Sequence, residues 1–500
     1  MAEKLTDSNK PAHEIIEVLE DGDAIRNDGM RLTAANKNPW YVLATIYGEQ
    51  EEGGSPLDFD WDIEAKNRRA WNGWVCADID KEECKVRAKK AGLDEADLMP
   101  LSKDELAGIT KEFRKRLKDE NAELPDRAKK IDFSKVHFSR PVTFANYIFD
   151  NYCDFSSSTF SRVTNFQSAM FRCDVNFKLM TFSRYTNFRL VTFNLEACFN
   201  SAVFGSYAHF ESTKFKGVAR FRFAIFNGDA AFKLAKFGYI TDFSFATFKF
   251  EANFRFAMFN RDAIFSSAKF EYDTMFADAR FLTEVPQFHA AELYENTVFP
   301  THDKDQQNWP PLRGHVTVDG EKREVMSPAD QKRAYNRLRL FMNKSLQIDE
   351  EQFFHRQEMR CKTVLSSWYH KPFYWLYALL SDYGNSVWRP LLWMLAVMLS
   401  GALFMLWWQE AFTFLPKESS GFDWTLGLLG EDDPWVKPRQ AAGWSISNTL
   451  PFLGFGKLYY GELAKDLAWP LKVAGGVQTL LGYVLLFFFG LGLRNRFRLR

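Results

Sequence analysis

The residues best placed to do chemistry in this chain form one short run, Thr449-Leu450-Pro451-Phe452-Leu453-Gly454-Phe455-Gly456. Extended backbone with glycine at alternate positions can turn its carbonyls inward, and a ring of carbonyls replaces the hydration shell of an ion. That chemistry is ion passage, not bond making. Elsewhere the reactive side chains are not arranged for catalysis. No P-loop, dinucleotide fingerprint, nucleophile elbow or metalloprotease motif occurs. His13 and Glu14 make no metal motif, and Cys76 and Cys84 are too far apart for a zinc knuckle. Cys173 and Cys361 have no partner spacing, and Cys153 and Cys198 fall on small-residue positions of a repeat. Enzyme activity, a cofactor and a bound metal are therefore not expected, and cytoplasmic thiols are expected to be reduced.

The elements that must position such a loop stand on either side of it. Residues 387–408 are apolar apart from Arg389, and about 22 residues of helix reach ~33 Å, enough to cross a bilayer. Residues 470–493 form a second span, uncharged from Val473 onward. The segment between them that holds the run, residues 441–461, is too short to cross. A short helix followed by glycine-rich backbone suits a re-entrant loop, since non-helical backbone survives at membrane depth only where it lines water or ions. Lys362, His370 and Lys371 precede the first span, Arg389 lies at its start, and Arg494, Arg496, Arg498 and Arg500 end the second. Residues 409–440 carry six acidic and three basic residues. Both termini are thus expected in the cytoplasm of a plasma (inner) membrane protein, with the hairpin outside. The first 30 residues are polar and lack a signal-peptide core. Residues 368–380 read as a helix lying in the interface.

Span, loop and span resemble the two-helix potassium-channel pore domain, over residues 365–500. The family's T-x-x-T-V-G-Y-G falls on Thr449 to Gly456, with Leu453 for Val and Phe455 for Tyr. Phe452 stands where the family has a Thr hydroxyl, and Lys457 replaces the following Asp. The resemblance implies a homotetrameric, cation-conducting pore with a non-standard filter, and the two departures leave room for a non-selective or anion-tolerant one. Gly482 matches the family's gating hinge, although glycine in membrane helices also serves close packing.

Upstream, 28 phenylalanines recur from Phe133 to Phe281 at spacings alternating between five and six. An 11-residue period would suit a helical supercoil. The intervening Ser, Thr, Asn, Asp and β-branched residues favour turns and strands instead. One large and one small inward residue per side fits a square solenoid. These residues resemble the pentapeptide-repeat family, right-handed quadrilateral β-helices. The resemblance implies seven coils over residues 131–299, about 34 Å tall at ~4.8 Å per coil. This segment holds 18 Lys and Arg against 16 Asp and Glu, which argues against the DNA mimicry known in that family and against nucleic-acid binding. It reads as a sensor or a scaffold for a protein partner.

Residues 1–125 are expected to be a separate, mainly helical cytoplasmic region, with helices at 38–49, 62–74 and 102–118, the last opened by an S-x-x-E capping box. Residues 300–365 are expected to be a linker or cap and a helical hairpin beginning at Ser327-Pro328. Two functions follow: an ion channel carrying a cytoplasmic β-helix, or a non-conducting, membrane-anchored interaction scaffold.

Overall fold

The computed structural model describes residues 14–53, 58–91, 94–411, 436–453 and 468–497. The chain divides into two compact units, Met1–Glu350 and Glu351–Arg500.

The Phe ladder folds as a β-solenoid of seven turns. Each coil gives one short strand to each of four parallel sheets. Strands pair with those 22 residues away, as Thr164 does with Thr186 and Val142. Every ladder Phe is buried, and rings on one face stack down the interior. Phe199 lies 4.6 Å from Phe177 and 4.8 Å from Phe221, the latter pair 1° from parallel. Rings of neighbouring faces meet edge-on, as Phe188 and Phe199 do at 5.6 Å and 87°. Offset stacking and T-shaped contact are both favoured by the ring quadrupole, so one residue type satisfies both directions of packing.

The alternation of five and six reflects two kinds of corner. Every five-residue step from Phe133 onward places a left-handed residue two positions after its Phe, from Lys135, Asn146 and Ser157 through to Asp278. The six-residue steps turn through a bend with no left-handed residue among them.

Before the solenoid lie β1 (Ile15–Val18), β2 (Ala24–Arg26) and β3 (Arg31–Ala34), an antiparallel meander. β3 pairs in parallel with Val136–Phe138 and extends one solenoid sheet to ten strands. Sequence reading assigned no strands here. The signal was present in Asp21-Gly22 and Asp28-Gly29, whose glycines take φ of 85° and 80° in the two turns. Helices follow: α1 (Pro39–Ala44), α2 (Trp61–Val75), α3 (Lys81–Ala91), α4 (Glu95–Leu98) and α5 (Lys103–Leu117), the last with the full Ser102/Glu105 capping box.

This region is not separate from the column, as sequence reading had it. Tyr41 packs edge-on against Phe138, and Trp71 packs against Phe149. Trp71 Nε1 donates to the Ile148 carbonyl at 2.8 Å, and Tyr147 Oη donates to the Ala44 carbonyl at 2.9 Å. Asn72 both donates to the Asn146 carbonyl and accepts from the Ile148 amide. A repeat column needs such a cap, because its first coil would otherwise leave aromatic surface and strand backbone in water.

At the other end three isolated bridges begin a partial eighth coil. Trp309 then covers Phe281 at 5.2 Å and meets Tyr335 of α6 (Pro328–Lys344). Residues 301–325 are a cap holding a hairpin, His315–Val318 with Glu321–Glu324. Half-buried Glu284 sits at this end, where burial, then a hydrogen bond with Asp262, raises its pKa from 4.5 to about 8. The folded state therefore holds a proton that the unfolded state releases. Stability from this group is full below pH 4.5 and falls as pH rises through about 8. The loss amounts to about 2 kcal/mol once screening by water is allowed for. Urea midpoints at pH 5 and 8.5 test this, with Glu284→Gln expected to flatten the pH dependence. An unchanged slope in that variant would assign the effect elsewhere.

The division between the units falls in the first turn of α7 (Ile348–Leu365). The second unit continues with α8 (Lys371–Ser381), α9 (Trp388–Ala411), α10 (Val436–Thr449) and α11 (Trp469–Phe497). Among the described residues, two helices are long and apolar enough to cross a membrane, over Trp388–Trp408 and Trp469–Arg496. Only 11% and 22% of their most apolar stretches are buried, unlike the core helices of a water-soluble domain.

Candidate functional site

α10 has 14 residues, about 21 Å of helix, against a hydrocarbon core of about 30 Å. It packs against both long helices. One end is seated apolarly, where Ala441 and Trp444 meet Met405 of α9 and Leu471 of α11. Toward its other end α10 presents Ser445, Asn448 and Thr449, spaced i, i+3 and i+4 on one face.

That polar face is received by glycines. A Cβ on Gly401 of α9 would lie 2.7 Å from Ser445 Oγ and 2.6 Å from the Gln478 amide. One on Gly475 of α11 would meet Asn448 Nδ2 at 3.2 Å, and one on Gly482 would sit 2.2 Å from the Thr449 carbonyl oxygen. Small residues let the helix backbones approach closely enough for polar groups to pair across them.

Gln478 of α11 is buried and completes the arrangement. Its Nε2 donates to the Ser445 carbonyl at 3.0 Å and to Thr449 Oγ1 at 2.8 Å, and also contacts Ser445 Oγ. Ser445 Oγ donates to the Met398 carbonyl of α9 at 2.6 Å, and Thr449 Oγ1 to the Ser445 carbonyl at 2.9 Å. Three helices are thus tied at the last turn of α10, four residues before Leu453. Ser447 Oγ, Asn448 Nδ2 and Gln478 Oε1 are buried with no hydrogen-bond partner among the described residues.

Comparison with family models, curated proteins and solved structures finds no match.

Of the residues singled out in the sequence, Thr449 is buried at the end of α10, and Phe452 is 58% exposed in the short 3₁₀ turn Pro451–Leu453. Gly454, Phe455 and Gly456 lie outside the described residues, as does Lys457. Gly482 is part of an unbroken α11 and faces Thr449, which gives its missing side chain a packing role. Gln478 and Gly401 escaped sequence reading. Gln478 was legible on its own terms, because an amide inside an apolar span is costly and usually functional.

Proposed function

We propose that the chain is a multi-pass protein of the plasma (inner) membrane, with both termini cytoplasmic. It is a cation channel of potassium-channel type with a non-standard filter, formed by four copies around one axis. The β-solenoid, a right-handed quadrilateral β-helix in this reading, serves as its cytoplasmic sensor or scaffold for a protein partner.

One observation carries the reading. α10 is too short to span, sits between two span-length helices, and has a polar face held by Ser445, Thr449 and Gln478. A water-exposed connection needs no such helix. A re-entrant pore loop does, because such a loop needs a short helix that is itself anchored at membrane depth. α8 extends the same logic to the interface, since its Phe373 and Trp375, with Trp368 just before it, expose more than two thirds of their surface beside Lys371. That is the composition of a helix lying at the lipid headgroups.

Phe452 favours the second reading, a non-conducting membrane-anchored scaffold. Its exposed ring stands where the family supplies a hydroxyl, and the Thr449 hydroxyl is taken up by Gln478 and Ser445.

Native mass measurement of the full chain in nanodiscs tests the assembly. Four chains per disc are expected, and a strictly monomeric protein would refute the pore.

A further inference from the structure

The chain passes from α8 into α9 through Asp382, Tyr383 and Gly384, and all three have positive φ, 52°, 58° and 81°. No other three consecutive described residues do so. Glycine adopts this region freely and Asp at small cost, whereas Tyr is strained there, and such strain persists only where the surroundings over-determine it. Here they do. Asp382 Oδ2 accepts from Arg356 of α7 at 3.3 Å, and Oδ1 lies 3.7 Å from Arg389 of α9. Buried Tyr383 shares a 3.0 Å hydrogen bond with Thr363 of α7. The Gly384 carbonyl accepts from Asn495 Nδ2 of α11 at 3.0 Å, and the Asn495 carbonyl accepts from Gln352 of α7 at 2.8 Å. A Cβ on Gly384 would lie 2.8 Å from the Tyr377 hydroxyl of α8, so even the room at the turn is used.

We infer that this elbow is a coupling device, which obliges α7 and the adjoining ends of α9 and α11 to move together. The consequence follows from connectivity. α7 is the segment by which the chain enters the second unit, and both long helices are fastened to it through three residues. Arg389 also donates to the Ala378 carbonyl at 3.0 Å, which brings α8 into the same movement. An ordinary linker would let the long helices shift without α7. A turn strained in one place and held by ion pairs and hydrogen bonds from four helices has few ways to yield, and those ways displace all four. What the movement achieves rests on the channel reading, but the coupling itself does not.

Hydrogen–deuterium exchange on the full chain in nanodiscs tests it. Asp382→Gly removes both ion pairs while suiting the left-handed backbone better, so a passive turn would lose no protection elsewhere. The coupling account expects amides in residues 352–366, 388–393 and 490–496 to exchange at least tenfold faster together, with residues 441–449 unchanged. Acceleration confined to residues 378–386 would overturn it. Should residues 441–449 also lose protection, Tyr383→Phe decides, since it keeps the ring and deletes only the hydroxyl. Its expected result is a joint acceleration of about threefold in α7 and α11, and a change limited to the turn would overturn the proposal. No ion flux enters this readout, so a chain that conducts nothing can still pass or fail.

Discussion

Valine in place of Gly482 is expected to prevent α10 from docking between α9 and α11. The added Cβ would fall 2.2 Å from the Thr449 carbonyl oxygen and 2.9 Å from its carbon, and both are backbone atoms that no rotamer can move aside. α11 must shift outward as a whole. That shift draws Gln478 off Thr449 Oγ1 and the Ser445 carbonyl, leaving buried polar groups unpaired. Overpacking together with the lost hydrogen bonds makes the change worth about 3 kcal/mol or more. Thermal unfolding of the purified chain in detergent should show a lost or strongly lowered transition for the second unit, with Gly482→Ala intermediate. A hinge glycine would behave differently, altering opening while leaving stability nearly as it was. An unchanged transition in Gly482→Val would mean that α10 is not held there.

Truncation of Phe199 to alanine should be as damaging as the loss of any interior ring of the ladder. Its ring stacks on Phe177 and Phe221 and meets Phe188 and Phe210 edge-on at 5.6 Å each. Removing it leaves a cavity closed above and below by rings whose strands are fixed in register, so the site cannot collapse, and about 3–5 kcal/mol is lost. Coils touch only their neighbours, so the loss is local and divides the column's cooperativity. Urea unfolding should turn from one transition to two, with a lower first midpoint. Phe223→Ala is the matched control, since that ring is 50% exposed at a corner, and it should move the midpoint little. Equal effects of the two changes would contradict an interior built on the ladder.

These expectations also mark what could be read from the chain. The ladder was legible because a parallel solenoid puts the same residue in the same environment in each coil, so the burial of Phe133 repeats at Phe155 and Phe177. The two long helices were legible because apolar length alone defines them. The meander β1 to β3 was missed although Asp21-Gly22 and Asp28-Gly29 announce its turns, since its strands are short and its last partner, Val136–Phe138, is a hundred residues away. The docking of Trp71 and Asn72 onto the first coils carries no local signature either, because their partners are main-chain groups of Asn146 and Ile148. In the second unit the spacing of Ser445, Asn448 and Thr449 was present to be read. Gln478 also stood out as an amide in an apolar span, but its pairing with them, like the roles of Gly401 and Gly475, was not readable, being fixed by how three helices cross. The left-handed Tyr383 is the extreme case, for only its tertiary contacts hold it there.

Ion flux is the most direct test of the central claim. The full chain, reconstituted into liposomes, would be challenged with potassium, sodium and chloride gradients at both voltage signs and across pH, beside Gly454→Ala. The account expects cation flux that exceeds chloride flux and disappears in Gly454→Ala. No flux from a verified four-chain assembly would contradict it and leave the solenoid as the anchored, working part of the protein.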